Sequence, residues 1–125
     1  MKNKSPVILL LMGAFAVSVP LSAHHGAASY DSSKTVTVKG TVTEYLWSNP
    51  HVFLKVDAKD DSGNTVHWTI EASNPVSQIE RGWNKNTFRL GDEVIVECVP
   101  AKNGKPVGLF HFPTLIVING KEFKS

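Results

Sequence analysis

Five histidines carry most of the chemistry open to this chain of 125 residues: His24, His25, His51, His67 and His111. Two of them are adjacent in "LSAHHGAASYD", residues 21–31, immediately after an apolar run. No pair has zinc-finger spacing and there is no HExxH, so any metal site must be assembled in space. The apolar run itself reads as an export leader. Lys2 and Lys4 form its basic start, Val7 to Val19 is too short to span a bilayer, Pro20 ends it, and Leu21-Ser22-Ala23 offers a small residue at the cut.

Cleavage after Ala23 makes His24 the free N-terminus. Its α-amine and ring nitrogen then chelate one Cu(II), and a third nitrogen, from His25 or from His51, completes a T-shaped site that resembles the histidine brace of exported copper proteins. Cleavage after Ser22 puts a histidine third and creates an amino-terminal chelate in which two amides join the amine and imidazole. A merely solvating histidine tail is the competing reading, as is an uncleaved anchor.

His51, His67 and Glu71 share a strand parity. A hairpin turning near Asp61 sets His51 opposite Glu71 and Lys55 opposite His67. His51 and His67 then lie roughly 13 Å apart, too far to share an ion. Glu71 reaches His51 and can orient its ring as a carboxylate behind a metal ligand, or form a plain cross-strand pair. Trp47, beside "SNPH" and Tyr45 with outward parity, is the best aromatic for a recognition surface. Cys98 has inward parity and reads as core rather than nucleophile. No Ser–His–Asp spacing is present, and "KDDSGN" lacks a calcium-loop register.

The elements that must hold these residues follow from period-two patterning. Val36, Val38, Gly40, Val42 and Leu46 form an inward row, with Gly40 marking a bend. Val52–Ala58 and Val66–Ile70 predict an antiparallel hairpin across "KDDSGN". Asn74, Pro75 and Gly82 predict a two-turn helix whose Val76 and Ile79 share a face. Val94, Val96 and Cys98 mark a fourth strand, and Val107–Phe112 with Leu115–Asn119 a last strand or strand pair broken at Pro113. Three strands, a short helix, then further strands is the order of the oligonucleotide/oligosaccharide-binding (OB) fold. The expectation is therefore all-β with one short helix: a five-stranded Greek-key barrel over 35–125, an extended or mobile arm over 24–34, and a signal peptide over 1–23.

Charge narrows the partners. The chain holds 13 Lys and Arg against 11 Asp and Glu, and loss of Lys2 and Lys4 with the leader makes it formally neutral. A neutral chain is a poor ligand for nucleic acid or an anionic membrane surface. A lone cysteine closes no internal disulfide.

"HHGAASYD", "GTVTEYLWSNPHVFLKVD", "HWTIEASNPVSQIERGW" and "LGDEVIVECVPAKNGKP" in this order resemble a bacterial exported family known as domain of unknown function 6152, over residues 24–120. The matching positions are His24, His25, Gly26, Tyr30 and Asp31, then Trp47, Asn49, Pro50 and His51, then Glu71 and Pro75. The resemblance implies a small periplasmic domain of Gram-negative bacteria and no established activity. The combined expectation is a non-enzymatic periplasmic ligand- or metal-binding protein, with Cu(II) as cofactor. His24, His25 and His51 are its metal ligands; Glu71, Tyr30, Asp31, Trp47 and Asn49 stand behind them or line the site. A periplasmic protein-interaction module without metal is the alternative, and a hydrolase a third. No nucleic acid and no stable membrane insertion after signal removal are expected.

Overall fold

The computed structural model describes residues 26–124; the expected leader, His24 and His25 lie outside the described residues. Seven strands and one helix follow in order: β1 (Val36–Leu46), β2 (Phe53–Lys59), β3 (Thr65–Glu71), α1 (Pro75–Glu80), β4 (Glu93–Pro100), β5 (Val107–Leu109), β6 (Ile116–Ile118) and β7 (Lys121–Glu122). β1 pairs β2, β2 pairs β3, β3 pairs β5 in parallel, β5 pairs β4, and β4 returns to β1. That ring of five strands closes a barrel of OB type, with α1 between the third and fourth strands. β6 and β7 extend it beyond β4. No helix among the described residues is long and apolar enough to cross a membrane.

Closure depends on β1 serving two neighbours. Val36–Thr41 pairs β4 and Gly40–Leu46 pairs β2, so Gly40 faces Val94 on one side and Ala58 on the other. The bend expected at Gly40 is a close approach: a β-carbon there would run into the carbonyl oxygen of Asp57. The bulge comes three residues later, at Thr43, where the register slips between Val42 and Glu44. One extra residue inverts the strand's parity. Tyr45 and Trp47 therefore turn toward the core while Leu46 is exposed, the reverse of the expected rows. Trp47 is part of the packing, 6.2 Å from the Tyr45 ring, and not an outward recognition aromatic.

Val38, Val42, Leu54, Val56, Ile70, Val94, Val96, Cys98 and Ile116 fill the barrel. Trp83 closes one end, edge-on to Phe88, Phe110 and Phe112. α1 starts as expected. Pro75 follows the cap residue Asn74, whose side chain accepts the Ser77 N–H at 2.9 Å. Asn74→Ala removes that acceptor from an otherwise unpaired amide and should lower stability by about 1 kcal/mol, read as a shift of the urea midpoint at unchanged slope. The face that Val76 and Ile79 share points to solvent. Gln78 is buried and Val76 and Ile79 are exposed. Its flanks decide: Ala72 and Trp83 are both buried, and the Trp83 N–H bonds the Gln78 carbonyl. A helix of six residues takes the rotation those anchors impose.

The described part of the arm lies against the barrel. It makes a 3-10 turn over Ala27–Ser29, and Tyr30 then bridges Ala101. The Asp31 N–H donates to Pro100 O and the Lys102 N–H to Ser29 O, each at 2.9 Å.

Candidate functional site

Glu71 ends β3 on the outward side of the sheet, yet it is only 8 % exposed. The docked arm covers it, and β5 continues past it, with the Phe110 N–H on the Glu71 carbonyl. A buried carboxylate needs partners on both oxygens. Tyr30 supplies one: its hydroxyl donates to Oε2 at 3.0 Å. The Nδ1 of His51 supplies the other, at Oε1. An ionised carboxylate only accepts, so Nδ1 donates. A neutral His51 ring then holds its lone pair on Nε2.

The hairpin delivers this contact in a register two residues from the expected one. Phe53 faces Glu71 and Asp57 faces His67. The ladder runs on beyond the strands, with the Val52 N–H on Ser73 O and the Ala72 N–H on Val52 O. His51 and Glu71 are therefore diagonal neighbours, within reach of long side chains. Ser48 fixes the entry to β2, its hydroxyl donating to the His51 carbonyl at 2.7 Å. The His51 side chain stays 40 % exposed.

Tyr30, His51 and Glu71 line a cleft of 270 Å³ together with Gly26, Ala27 and Phe110. Gly26 is bonded to His25, so the cleft begins one residue from the paired histidines. Burial first, and then the nearby Cys98 thiol, push the Tyr30 hydroxyl above its ordinary range, so it remains a hydrogen-bond donor at neutral pH.

The other expected residues lie elsewhere. Asp31 turns into its own loop, accepting from the Ser33 N–H at 3.2 Å and pairing with Lys34 at 3.1 Å. The Ser33 hydroxyl and then Lys34 hold its carboxyl below the usual range. Asn49 is exposed in the turn before His51, at a cis bond to Pro50. His67 pairs with Asp57 at 2.6 Å on the hairpin's outer face, in place of the expected Lys55. Lys55 instead reaches Glu44 at 2.7 Å. His111 borders a separate cleft of 130 Å³ with Glu97 and Cys98. Cys98 is buried and its thiol is pushed up to about 12, so it is protonated and unreactive at neutral pH. Among the described residues no group of three His, Cys, Asp or Glu gathers around one point.

Ser73 and Phe110 also line the cleft and were not foreseen. Ser73 gave no signal, since it arrives through ladder bonds beyond β3. Phe110 was visible only as part of an apolar run.

The family described as "Family of unknown function (DUF6152)" matches residues 13–111. No curated protein matches the chain. A mitochondrial single-stranded DNA binding protein from S. cerevisiae, Rim1, is similar in structure, with 17% sequence identity, 68% of this chain and 93% of that chain covered, and a TM-score of 0.48.

Proposed function

We propose, from the premise that the chain belongs to the DUF6152 family of unknown function, that it is an exported periplasmic protein that binds one Cu(II) ion without catalysing a reaction. The leader is removed after Ala23, and the amine and ring of His24 bind the metal together with the His25 ring. His51 adds Nε2. Imidazole and amine nitrogens suit Cu(II), which heads the divalent affinity order. The observation that carries this reading is the carboxylate on the far side of His51. Glu71 holds Nδ1, which leaves Nε2 as the coordinating nitrogen. The cleft wall at Gly26 and Ala27 supports it, because Gly26 directly follows His25 in the sequence.

The test is a Cu(II) titration of exported, trimmed protein, with its mass and metal content measured on the same material. The expected Kd lies below about 1 μM, and His51→Ala weakens it at least tenfold, roughly 1.4 kcal/mol. Retention of the leader in exported material, or Cu(II) binding no tighter than micromolar, would refute the reading. Equal affinity in His51→Ala would remove His51 from the ligand set.

A further inference from the structure

We infer that Tyr30 is a positioning residue: through Glu71 it sets the orientation of the His51 imidazole, so that docking of the arm and competence of the cleft are one event. The inference rests on the reading of His51 as the ligand-bearing residue. It adds what controls that residue.

Three observations meet here. First, the two oxygens of Glu71 hold groups from two separately anchored segments. Oε2 takes the Tyr30 hydroxyl from the arm, and Oε1 takes Nδ1 of His51 from the segment before β2. A carboxylate is a rigid plane, so moving one partner turns the oxygen that serves the other. Second, the two partners differ in burial. Tyr30 is 4 % exposed, whereas the His51 side chain is 40 % exposed. The buried member has one defined position and the exposed member follows it. Third, the arm is tied to the barrel by few bonds. Backbone pairing at Asp31–Pro100 and Lys102–Ser29 brackets Tyr30, and among the described residues its hydroxyl makes the one side-chain bond from the arm to the cleft. Arm and cleft therefore meet at one shared carboxylate, through which coupling would pass.

Tyr30→Phe keeps the ring and removes the bond, so it reads the coupling with little change in packing. The experiment uses the metal-free chain and long-range nitrogen-15 NMR of the histidine rings, which reports which ring nitrogen carries the proton. Wild-type His51 is expected with its proton on Nδ1. In Tyr30→Phe the His51 signals should move toward a mixture of tautomers, while His67, held by Asp57 on the far part of the hairpin, stays unchanged. A merely structural tyrosine would leave the His51 tautomer as it was, and that result overturns the inference.

The reverse direction covers the case in which Tyr30→Phe does not fold. Coupling between two sites is reciprocal. His51→Gln should therefore loosen the arm, raising hydrogen exchange at the Lys102 amide about tenfold. An unchanged rate there also overturns the inference. Neither readout involves copper, so a failed Cu(II) titration removes the proposed function and leaves the coupling standing or falling on its own data. Where Cu(II) does bind, Tyr30→Phe should weaken it by less than the roughly tenfold loss expected of Glu71→Ala, because Tyr30 reaches His51 only through Glu71.

Discussion

Gly40→Ala is expected to be the most damaging small substitution in the barrel. The added β-carbon meets the carbonyl oxygen and carbon of Asp57 and the Val56 side chain. Two of those three atoms are backbone, in a strand paired on both edges, so nothing can swing aside. Overpacking of this kind costs about 3 kcal/mol or more. For a domain near 100 residues that corresponds to a drop in Tm of roughly 12–24 °C. Gly108→Ala is the informative comparison. Its β-carbon meets the Sγ of Cys98, a side chain. Cys98→Ala in the same chain should recover part of that loss, whereas no second substitution relieves Gly40. Gly26→Ala, with open space around it and a negative φ, should stay within about 0.5 kcal/mol of the parent. A thermal scan of the four variants checks the set. A Gly40→Ala barrel melting with the parent would mean that β1 does not cross between β4 and β2 where the pairing puts it.

That crossing also marks where sequence reading stops. The barrel's identity was legible: three strands, a capped short helix and later strands appear as alternation and turn chemistry, which are local properties. Gly40 was legible as a special position because an interior glycine weakens a strand without a compensating reason. The bulge at Thr43 was not, although Glu44 in an apolar row was its trace. A one-residue insertion changes every later parity, and so Tyr45 and Trp47 were assigned to the wrong face. The helix was legible in place and cap but not in orientation. The spacing of Val76 and Ile79 gives a shared face but not its direction, which the burial of Ala72 and Trp83 on either side decides.

The candidate site shows the same division. Contact between His51 and Glu71 was reachable from hairpin logic, even with the turn misplaced by one position, because a long side chain spans a diagonal as well as a direct pair. The burial of Glu71 was hidden. It arises from a segment 41 residues away in sequence, the arm, whose small and polar residues read as solvent-exposed. Tyr30 is the exception in that composition, a large aromatic among Ala, Ser and Asp, and it is the residue that docks. Asp31 and Asn49 share the motif with the cleft residues but serve turns.

Glu71→Ala carries the second large expected effect, because it strands two groups at once. Tyr30 keeps a buried hydroxyl without an acceptor, and an orphaned buried polar group costs about 1–3 kcal/mol. His51 loses the partner of Nδ1 and is released toward solvent, at little cost to stability since its side chain is already 40 % exposed. The stability loss should therefore be about 2–3 kcal/mol and come almost entirely from the arm's side. A double-mutant cycle separates the two contributions. Tyr30→Phe removes the hydroxyl that Glu71→Ala would leave unpaired, so the double variant should be less destabilised than the sum of the singles by about 1 kcal/mol or more. His51→Ala with Glu71→Ala should likewise fall short of the sum of the singles, because His51→Ala by itself leaves Oε1 of the buried carboxylate unpaired. Urea denaturation of the parent and the five variants supplies the numbers, with an unchanged slope as the condition for comparing them. Additivity between Tyr30→Phe and Glu71→Ala would show that the hydroxyl and the carboxylate do not bond in solution. The arm would then be held by its backbone alone, and the carboxylate would have to be balanced by His51 and whatever cation the cleft admits.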